Sequence, residues 1–559
     1  MQWHDRYLTE LSWAIVIGAM SVGLAAAVHG GPRAGLTLWF VGAGLRLVRH
    51  APRALASRSE STGLALAVAP VATTGAFLAI ADRYGRAFRL DIDPNYYHLV
   101  VVNTYVSGTS FGDSIYPRVD LPFRPDGYPL TGHALAAELV VATGGIGGIL
   151  LLTVASVGLL IVAGAALAHR VFHPPAVTRL DVLRTWVMCC LLGSLFVAMP
   201  SVIDAATGVP IDALACAALA ALVAVACQPR LQPTLIGGLA GTSVGVKTTT
   251  VVPVLIVLGA VVMLRRPEIR KVGVALGAAA LYLAGGHWFV RDLLRHGSPA
   301  WPQLAAPWGT PSPGWFDDFS TFLAHPLYTL HAADHRQLIG FGLGAPVTLA
   351  ALVVGVAVVR PRTRTLILGS LGLALLAWAA AKQTGIAPGS AASKIGFGAA
   401  SRYFAPVQIV AAAATCELAR RGSTKALAIG AVGGLLNLLS LGYFATDRLW
   451  ALTVAGALAV VCAGVVAGSR ASPRAIRGVR VLAGLSVVAL SVAIVSLATA
   501  NERLWRHAVR TSTTPYVRAH EACLLALRCI ATDGDRLHVT DSPGFRLGPY
   551  LDARVSVVP

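Results

Sequence analysis

The sequence predicts an all-α polytopic membrane protein with about fifteen transmembrane helices, within a range of roughly 13 to 15. Of its 559 residues, 55% are hydrophobic and only 13% are charged, against about 25% charged residues in an average soluble domain. The mean hydropathy is +0.68. The apolar residues occur in runs of roughly 15 to 25, long enough to cross a bilayer. These observations exclude a soluble enzyme, a disordered protein and a disulfide scaffold.

The apolar runs divide the chain into two N-terminal spans within residues 1–61 and a transmembrane core over 62–500. Acidic residues at Asp5 and Glu10 argue against a cleaved signal, because the start of a signal peptide is basic. Residues 234–264 form either two short spans or one kinked unit. The predicted spans lie near 11–29, 33–48, 62–82, 146–168, 184–200, 211–227, 234–247, 250–264, 272–288, 337–359, 365–381, 403–419, 425–444, 449–468 and 479–500.

The net charge of +19 comes largely from basic clusters between spans, and these clusters fall on one side of the predicted membrane. The positive-inside rule makes that side the cytoplasm, so we expect a multi-pass protein of the cytoplasmic membrane that binds no nucleic acid. The outer loops are then 83–145, 289–336 and 382–402. The clusters contain Arg53 and Arg58, Arg170 to Arg184, Arg265 to Lys271, Arg360 to Arg364, Arg420 with Arg421, and Arg470 to Arg480.

The C-terminal tail, residues 501–559, also lies on the outer side of the predicted membrane. Its pattern predicts a small extracytoplasmic α/β cap. Two strand-like runs occupy 537–540 and 554–558. Cys523 and Cys529 either pair there or stay free. The other cysteines lie in apolar segments, where cysteine behaves as a small hydrophobe.

Two carboxylates, Asp91 and Asp93, open the first outer loop directly beyond a predicted span. A carboxylate at the membrane interface is well placed as a general base toward a hydroxyl acceptor. Alternatively, the two residues cap an interfacial helix that starts at Pro94. The interpretations are compatible. Farther along the loop, residues 131–143 predict a helix lying in the interface plane.

Lys247 follows a glycine-rich stretch that resembles a phosphate loop, but Val246 stands where that motif requires glycine. The glycines at 237, 241 and 245 instead form a small-xxx-small ridge for close helix packing. Lys247 either binds a lipid phosphate or extends its ammonium group to the membrane surface. Asp212, at the mouth of another span, is either a functional acid or a helix N-cap.

Cations and aromatic residues continue on two further outer loops. Arg291 and Arg295 share a helical face and bind either a phosphodiester or lipid headgroups. Lys394, Arg402 and Tyr403 extend the same basic and aromatic character. Carboxylates and cations on one face indicate a reaction between an anionic lipid donor and a neutral acceptor.

The order of these motifs resembles the GT-C superfamily of polytopic glycosyltransferases, in its bacterial branch akin to protein-mannosyl and aminoarabinose transferases. In two respects the chain departs from that pattern: Asp292 and Ser298 replace the usual asparagines, and Pro94 follows the acid directly. The matching residues are Asp93 with Tyr97 and His98, Tyr128-Pro129, Asp212, Gly245-Val246-Lys247, Gly285-Gly286 with Arg291, and Arg402-Tyr403 with Pro406.

The resemblance implies an inverting transfer of a hexose or pentose from a polyprenyl-phosphate sugar to an envelope glycan, glycolipid or protein hydroxyl, on the outer face. Asp93 would be the general base, with Asp91 or Asp212 assisting it or binding a divalent cation. No cofactor would be required, and Mg²⁺ or Mn²⁺ would be compatible. Lys247, Arg291, Arg402, Arg295 and Lys394 would hold the phosphate, and Tyr97, His98, Asp212, Tyr128 and Tyr403 would support the acceptor.

Two alternatives stay open. An oligosaccharide ligase or polymerase that uses a lipid diphosphate would need an extra cation, which Arg295 or Lys394 provides. A lipid or sugar transporter would explain the many spans, but it should show inverted repeats with broken helices. The sequence contains no internal repeat, and its polar residues gather on the outer loops.

Overall fold

The structure is a computed structural model that describes residues 3–56, 98–113, 127–145, 147–171, 193, 211–312, 320–324, 353, 356, 361–381, 396–420, 424–444, 536–539 and 554–557. The predicted spans near 62–82, 449–468 and 479–500, and most of those near 184–200 and 337–359, lie outside these residues. The described helices are α1 (Trp3–Ala27), α2 (Pro32–Ala56), α3 (Leu99–Val106), α4 (Thr131–Thr143), α5 (Gly147–Val171), α6 (Ile211–Ala226), α7 (Pro233–Val246), α8 (Val251–Arg265), α9 (Lys271–Leu281), α10 (His287–His296), α11 (Pro361–Ala380), α12 (Gly396–Arg420) and α13 (Thr424–Phe444).

Four helical segments in the described part are long and apolar enough to cross a membrane: Leu8–Ala27, Gly147–Ala168, Thr248–Glu268 and Lys271–His296. They coincide with predicted spans near 11–29, 146–168, 250–264 and 272–288. Shorter apolar helices occupy three further predicted spans, Ile211–Ala226, Pro233–Val246 and Arg364–Ala380. The described membrane part is therefore all-α and multi-pass, and the total number of spans stays a prediction.

Helix α1 lies in the core and packs on α2, α4, α5, α6 and α7. One face of the helix is fully buried, with Val16, Ala19 and Val22 at 0% exposure. Nearly every residue of α6 is buried as well. By contrast, α8 and α9 expose large apolar side chains such as Leu255, Met263 and Val272, as expected of helices that face lipid.

Residues 234–264 form two helices rather than one. The backbone of Lys247 is extended, with φ −153° and ψ 130°, and it separates α7 from the 3-10 turn Thr248–Thr250 that leads into α8. The break places the charged side chain of Lys247 between two apolar helices. In one continuous helix, the same side chain would project from the face of that helix.

The glycines of α7 form the packing ridge that the sequence predicts. A Cβ added at Gly237 would overlap the carbonyl oxygen of Gly277, and one at Gly241 would overlap that of Leu281. Gly245 meets the π-helical turn Tyr282–Gly286, which joins α9 to α10, at similarly close range. Only glycine permits this approach of two backbones, so the ridge fixes α7 against the segment that leads into α10.

A polar network ties the helices together at the end of the bundle where α1 begins. Buried Asp5 pairs with Arg170 of α5, with 2.7 Å between Arg170 Nη2 and Asp5 Oδ1. Gln228, just after α6, donates to the Asp5 carbonyl at 3.2 Å. Arg265 at the end of α8 donates to the carbonyls of Ala226 and Gln228. Residues from three of the predicted basic clusters, Arg170, Arg265 and Arg420, lie near Cys227 at this end.

Helix α4 occupies the predicted range 131–143 and ends at Gly144, whose left-handed φ of 70° closes it. A helix lying in the interface plane, as predicted here, normally exposes a polar face, and α4 does not. Here even the polar side chains of His133 and Glu138 are buried, at 2% and 0% exposure. α4 is packed among α1, α2, α3, α5 and α7.

Two short strands are described in the tail, β1 (Arg536–Val539) and β2 (Arg554–Val557). They pair in parallel, with Arg536 opposite Arg554 and Val539 opposite Val557. They coincide with the two predicted strand-like runs. The rest of the predicted cap, including Cys523 and Cys529, lies outside the described residues.

Candidate functional site

Four elements meet at the first residue of α4. Trp288 of α10 donates its indole N–H to Thr131 Oγ1 at 2.8 Å. The same hydroxyl lies 3.4 Å from the carbonyl oxygen of Ala284 in the π-helical turn. A Cβ on Gly245, near the end of α7, would lie 2.7 Å from it. Thr131 therefore ties the start of α4 to the end of α7, which leads into Lys247, and to α10, which carries Arg291.

Lys247 is held by residues from two other helices. Its ammonium group forms an ion pair with Asp212 of α6 and lies 4.5 Å from the ring centroid of Tyr403 of α12. The Lys247 side chain is 22% exposed and that of Asp212 is 12% exposed. An ammonium has three N–H donors, so an ion pair with one carboxylate is compatible with a second anion beside it.

Asp212 lies within the first turn of α6 rather than at its N-cap, because the helix begins at Ile211. The first turn of a helix favours a carboxylate through the helix dipole, and here that carboxylate is the partner of Lys247. The N-cap interpretation of Asp212 is therefore wrong, and its role as a functional acid stays a prediction.

Arg291 is fixed on α10 by an acid and an aromatic ring. Its Nη2 and Nε lie 2.8 and 3.0 Å from Asp292 Oδ1, and its guanidinium carbon lies 4.6 Å from the Trp288 ring centroid. Nη2 also lies 3.5 Å from the Tyr128 carbonyl oxygen, just before α4. Asp292 is 2% exposed, so the acid that departs from the usual asparagine neutralises a neighbouring arginine.

Arg295 lies one turn beyond Arg291, and its side chain is exposed. Its Nη2 lies 3.4 Å from the carbonyl oxygen of Gly112, in the described part of the first outer loop. The neighbouring Asp113 contacts His29 at the end of α1, with 3.1 Å between Oδ1 and Nδ1. The end of α1, the first outer loop and α10 are thus joined at the site end of the bundle.

His98 and His133 bring the first outer loop onto α4. Their rings are stacked with 5.1 Å between centroids, and His98 Nδ1 lies 2.8 Å from His133 Nε2. One of the two nitrogens must donate and the other accept. This contact fixes the chain just after the predicted acids.

Several predicted site residues lie outside the described residues: Asp91, Asp93, Tyr97 and Lys394. Arg402 belongs to α12, but its side chain is not among those described. Of the predicted set, the structure brings Asp212, Lys247 and Tyr403 into direct contact. It brings Arg291 to Tyr128 and His98 to α4.

Three residues of the site region were not predicted to have roles there: Thr131, Trp288 as a partner of Arg291, and Glu138. Glu138 is buried where α4 meets α1 and α2, with Oε1 3.4 Å from Ser21 Oγ. A Cβ on Gly35 would overlap that oxygen. Burial raises the pKa of Glu138 to about 9, so the side chain is neutral at pH 7. The sequence does contain a signal for Glu138, because an acidic residue within an apolar helix is a candidate functional residue.

Within the described ranges, no cluster of three or more His, Cys, Asp and Glu side chains is arranged to hold a metal ion. The described groups of the site are two partly buried cations with their carboxylates, the exposed Arg295, two aromatic rings and a histidine pair. Such a set suits the binding of an anionic group beside an apolar phase.

No protein-family model matches the sequence, and no curated protein matches it. Among solved structures, the chain is similar to ArnT from Cupriavidus metallidurans bound to undecaprenyl phosphate, with 14% identity and a TM-score of 0.45 over 86% of this chain and 84% of that one. The apo state of ArnT gives 16% identity and a TM-score of 0.40 over 86% and 85% of the two chains.

ArnT is a GT-C aminoarabinose transferase, which is the branch that the motif order resembles. Both TM-scores are below 0.5.

Proposed function

We propose that this protein is an inverting glycosyltransferase that moves a hexose or pentose from a polyprenyl-phosphate donor to a hydroxyl of a cell-envelope acceptor, at the outer face of the cytoplasmic membrane. One observation carries the proposal. Lys247, directly after α7, and Arg291 of α10 are each held by a carboxylate and an aromatic ring, and α7 and α10 both contact the residue that begins α4.

Phosphate is the ligand that best suits this pair of cations. Arginine binds phosphate oxygens through its planar guanidinium group, and lysine provides a point charge. Both side chains are partly buried, at 12% and 22% exposure, where a charge-assisted hydrogen bond is stronger than in water. Apolar helices run directly from the site and offer a path for a prenyl chain.

In the proposed reaction, the acceptor hydroxyl oxygen attacks the anomeric carbon while the bond from that carbon to the phosphate oxygen breaks. The hydroxyl proton passes to the carboxylate of Asp93, with Asp91 assisting. The bonding electron pair leaves with the phosphate oxygen, so one negative charge develops there. Lys247 and Arg291 stabilise this charge, together with Arg402. A single displacement inverts the configuration at the anomeric carbon.

His98, Tyr97 and Tyr128 support the acceptor in this proposal. His98 follows the two acids along the chain and is fixed against α4 by His133. The chemistry requires no metal, although Mg²⁺ or Mn²⁺ is compatible with the carboxylates. We expect transfer to survive EDTA treatment, and loss of transfer that Mg²⁺ restores would assign a cation to the site.

The test is transfer of radiolabel from polyprenyl-phosphate mannose and arabinose into an extract of envelope lipids and glycans. Wild type should transfer label, and Asp93→Asn should not, although it still binds donor. Asp113→Asn is the matched control, because Asp113 lies in the same loop but pairs with exposed His29.

Equal transfer by wild type and Asp93→Asn would remove the proposed base. If wild type moves the lipid across vesicles without transferring sugar, the protein is a transporter. Transfer only from an oligosaccharide lipid diphosphate would assign the ligase or polymerase reaction.

A further inference from the structure

The two partly buried cations of the site each face a carboxylate. Lys247 is paired with Asp212, and Arg291 is paired with Asp292. Two cations and two carboxylates give these four residues a net charge of zero, whereas a simple phosphate-binding pocket would be positive. The two carboxylates differ in position, because Asp292 is 2% exposed while the Asp212 side chain is 12% exposed.

A phosphate that contacts Lys247 therefore comes close to the Asp212 carboxylate as well. The ammonium has three donors and holds both anions at once, one on each side of a single positive charge. Every further charge on the phosphate is repelled by Asp212 across this short distance. The site thus responds to how many charges the phosphate carries.

The two lipids of the proposed reaction differ in this number. The donor is a phosphodiester with one negative charge. The product left after sugar transfer is a phosphomonoester, which carries about −1.5 to −2 at pH 7. Repulsion by Asp212 therefore weakens binding of the product more than binding of the donor.

We propose that Asp212 is a specificity-determining residue that selects the singly charged lipid phosphodiester over the more highly charged lipid phosphomonoester at Lys247. This inference rests on the proposed function, because it takes Lys247 as the phosphate site. It gives Asp212 the role of speeding product release, in place of helix capping or cation binding.

The test measures binding of two probes to the purified full-length chain in nanodiscs: undecaprenyl phosphate and its monomethyl ester. The probes share the prenyl chain and differ by one ionisable oxygen. Asp212→Asn should tighten binding of undecaprenyl phosphate by about tenfold and that of the methyl ester by about threefold or less. Asp212→Glu, which keeps the charge, should retain wild-type selectivity.

Glu268→Gln is the matched control, since it removes the carboxylate of an ion pair with Arg265 at the opposite end of the bundle. It should leave both affinities unchanged. If Asp212→Asn fails to fold by thermal melting, Asp212→Ser is the second neutral variant. In transfer assays, added undecaprenyl phosphate should inhibit the neutral variant more strongly than wild type.

If Asp212→Asn tightens binding of both lipids equally, the inference is overturned. Asp212 would then repel any anion and would not select between the two lipids. Weaker binding of both lipids would also overturn it, because Asp212 would then only position the Lys247 side chain. Lys247→Gln separates these failures from failure of the proposed function. If Lys247→Gln weakens binding of both lipids, Lys247 is part of the phosphate site whatever the role of Asp212. If it changes the binding of neither lipid, both proposals are wrong.

Discussion

The guanidinium of Arg291 is positioned before any ligand arrives, by Asp292 on one side and the Trp288 ring on the other. A fixed donor stabilises developing charge without reorganising during the reaction. We expect Arg291→Ala to lower kcat for sugar transfer by about 10²- to 10³-fold. Arg291→Lys should recover only part of this loss. Unlike a guanidinium, an ammonium group cannot stack on the Trp288 ring or bind a phosphate through two parallel hydrogen bonds.

The chain offers a close control for this variant. Arg46 also pairs with an acid, at 2.9 Å to Glu10, and lies over an aromatic ring, at 4.8 Å from the Trp13 centroid. Arg46→Ala removes the same chemistry away from the site and should leave kcat unchanged. An equal loss of kcat in both variants would indicate general destabilisation instead of a role for Arg291.

Glu138 makes stability depend on pH. Its folded pKa is raised to about 9 by burial, so the folded chain holds a proton that the unfolded chain releases at lower pH. The stability that this proton contributes is fully present below about pH 4.5, the ordinary pKa of the group, and is lost as pH rises toward 9. We expect the wild-type melting temperature in detergent to fall between pH 6 and pH 8.5. Glu138→Gln should flatten that dependence, and an unchanged slope in this variant would contradict the assignment.

At the residue scale, the sequence alone identifies Lys247, Asp212, Arg291 and Tyr403, because charged or aromatic residues at the ends of apolar runs stand out. It does not show that Asp212 and Lys247 form a pair, since they lie 35 residues apart on different helices. Thr131 was missed because a threonine at the start of a helix is common, and its sequence context does not indicate a contact with a distant tryptophan. Such pairings depend on how helices pack.

Helix α7 illustrates the element scale, because its position depends on the glycine ridge. A methyl group at Gly241 would overlap the Leu281 carbonyl oxygen, a backbone atom that cannot move independently. We expect Gly241→Ala to lower the melting temperature and weaken lipid binding, since α7 ends at Lys247. Overpacking of this kind costs about 1–3 kcal/mol.

Gly259 on α8 is the matched control, because a Cβ there meets nothing within 4 Å. Gly259→Ala should be neutral, or stabilising by about 0.5–1 kcal/mol, since alanine favours helix more than glycine does. If Gly241→Ala were equally well tolerated, the close packing of α7 on α9 would be wrong.

Elements with a clear repeat are the ones that sequence predicts well. The ridge follows from a four-residue glycine spacing, and α4 follows from an apolar run after a tyrosine-proline pair. The π-helical turn at Tyr282–Gly286 could not be predicted in this way, because it lies inside a continuous apolar run that has no helical period to interrupt. The burial of α4 was also missed, since the helices that cover it lie elsewhere in the chain.

At the scale of the whole molecule, the described charged groups divide between two ends of the bundle. Asp5, Arg170 and Arg265 lie at one end, and Lys247 and Arg291 lie at the other, beside the start of α4. The distribution of basic clusters predicts that the first end faces the cytoplasm. The site would then open to the outer face, where lipid-linked sugars and envelope acceptors meet.

This sidedness is tested by cysteine labelling of the full-length chain in intact cells, with the native cysteines replaced by serine. Asp113 and Glu268 are suitable positions, since their side chains are 48% and 43% exposed at opposite ends. A membrane-impermeant maleimide should label Asp113→Cys in intact cells, but label Glu268→Cys only after permeabilisation. The reverse pattern would place the site in the cytoplasm and make a nucleotide sugar the more reasonable donor to test.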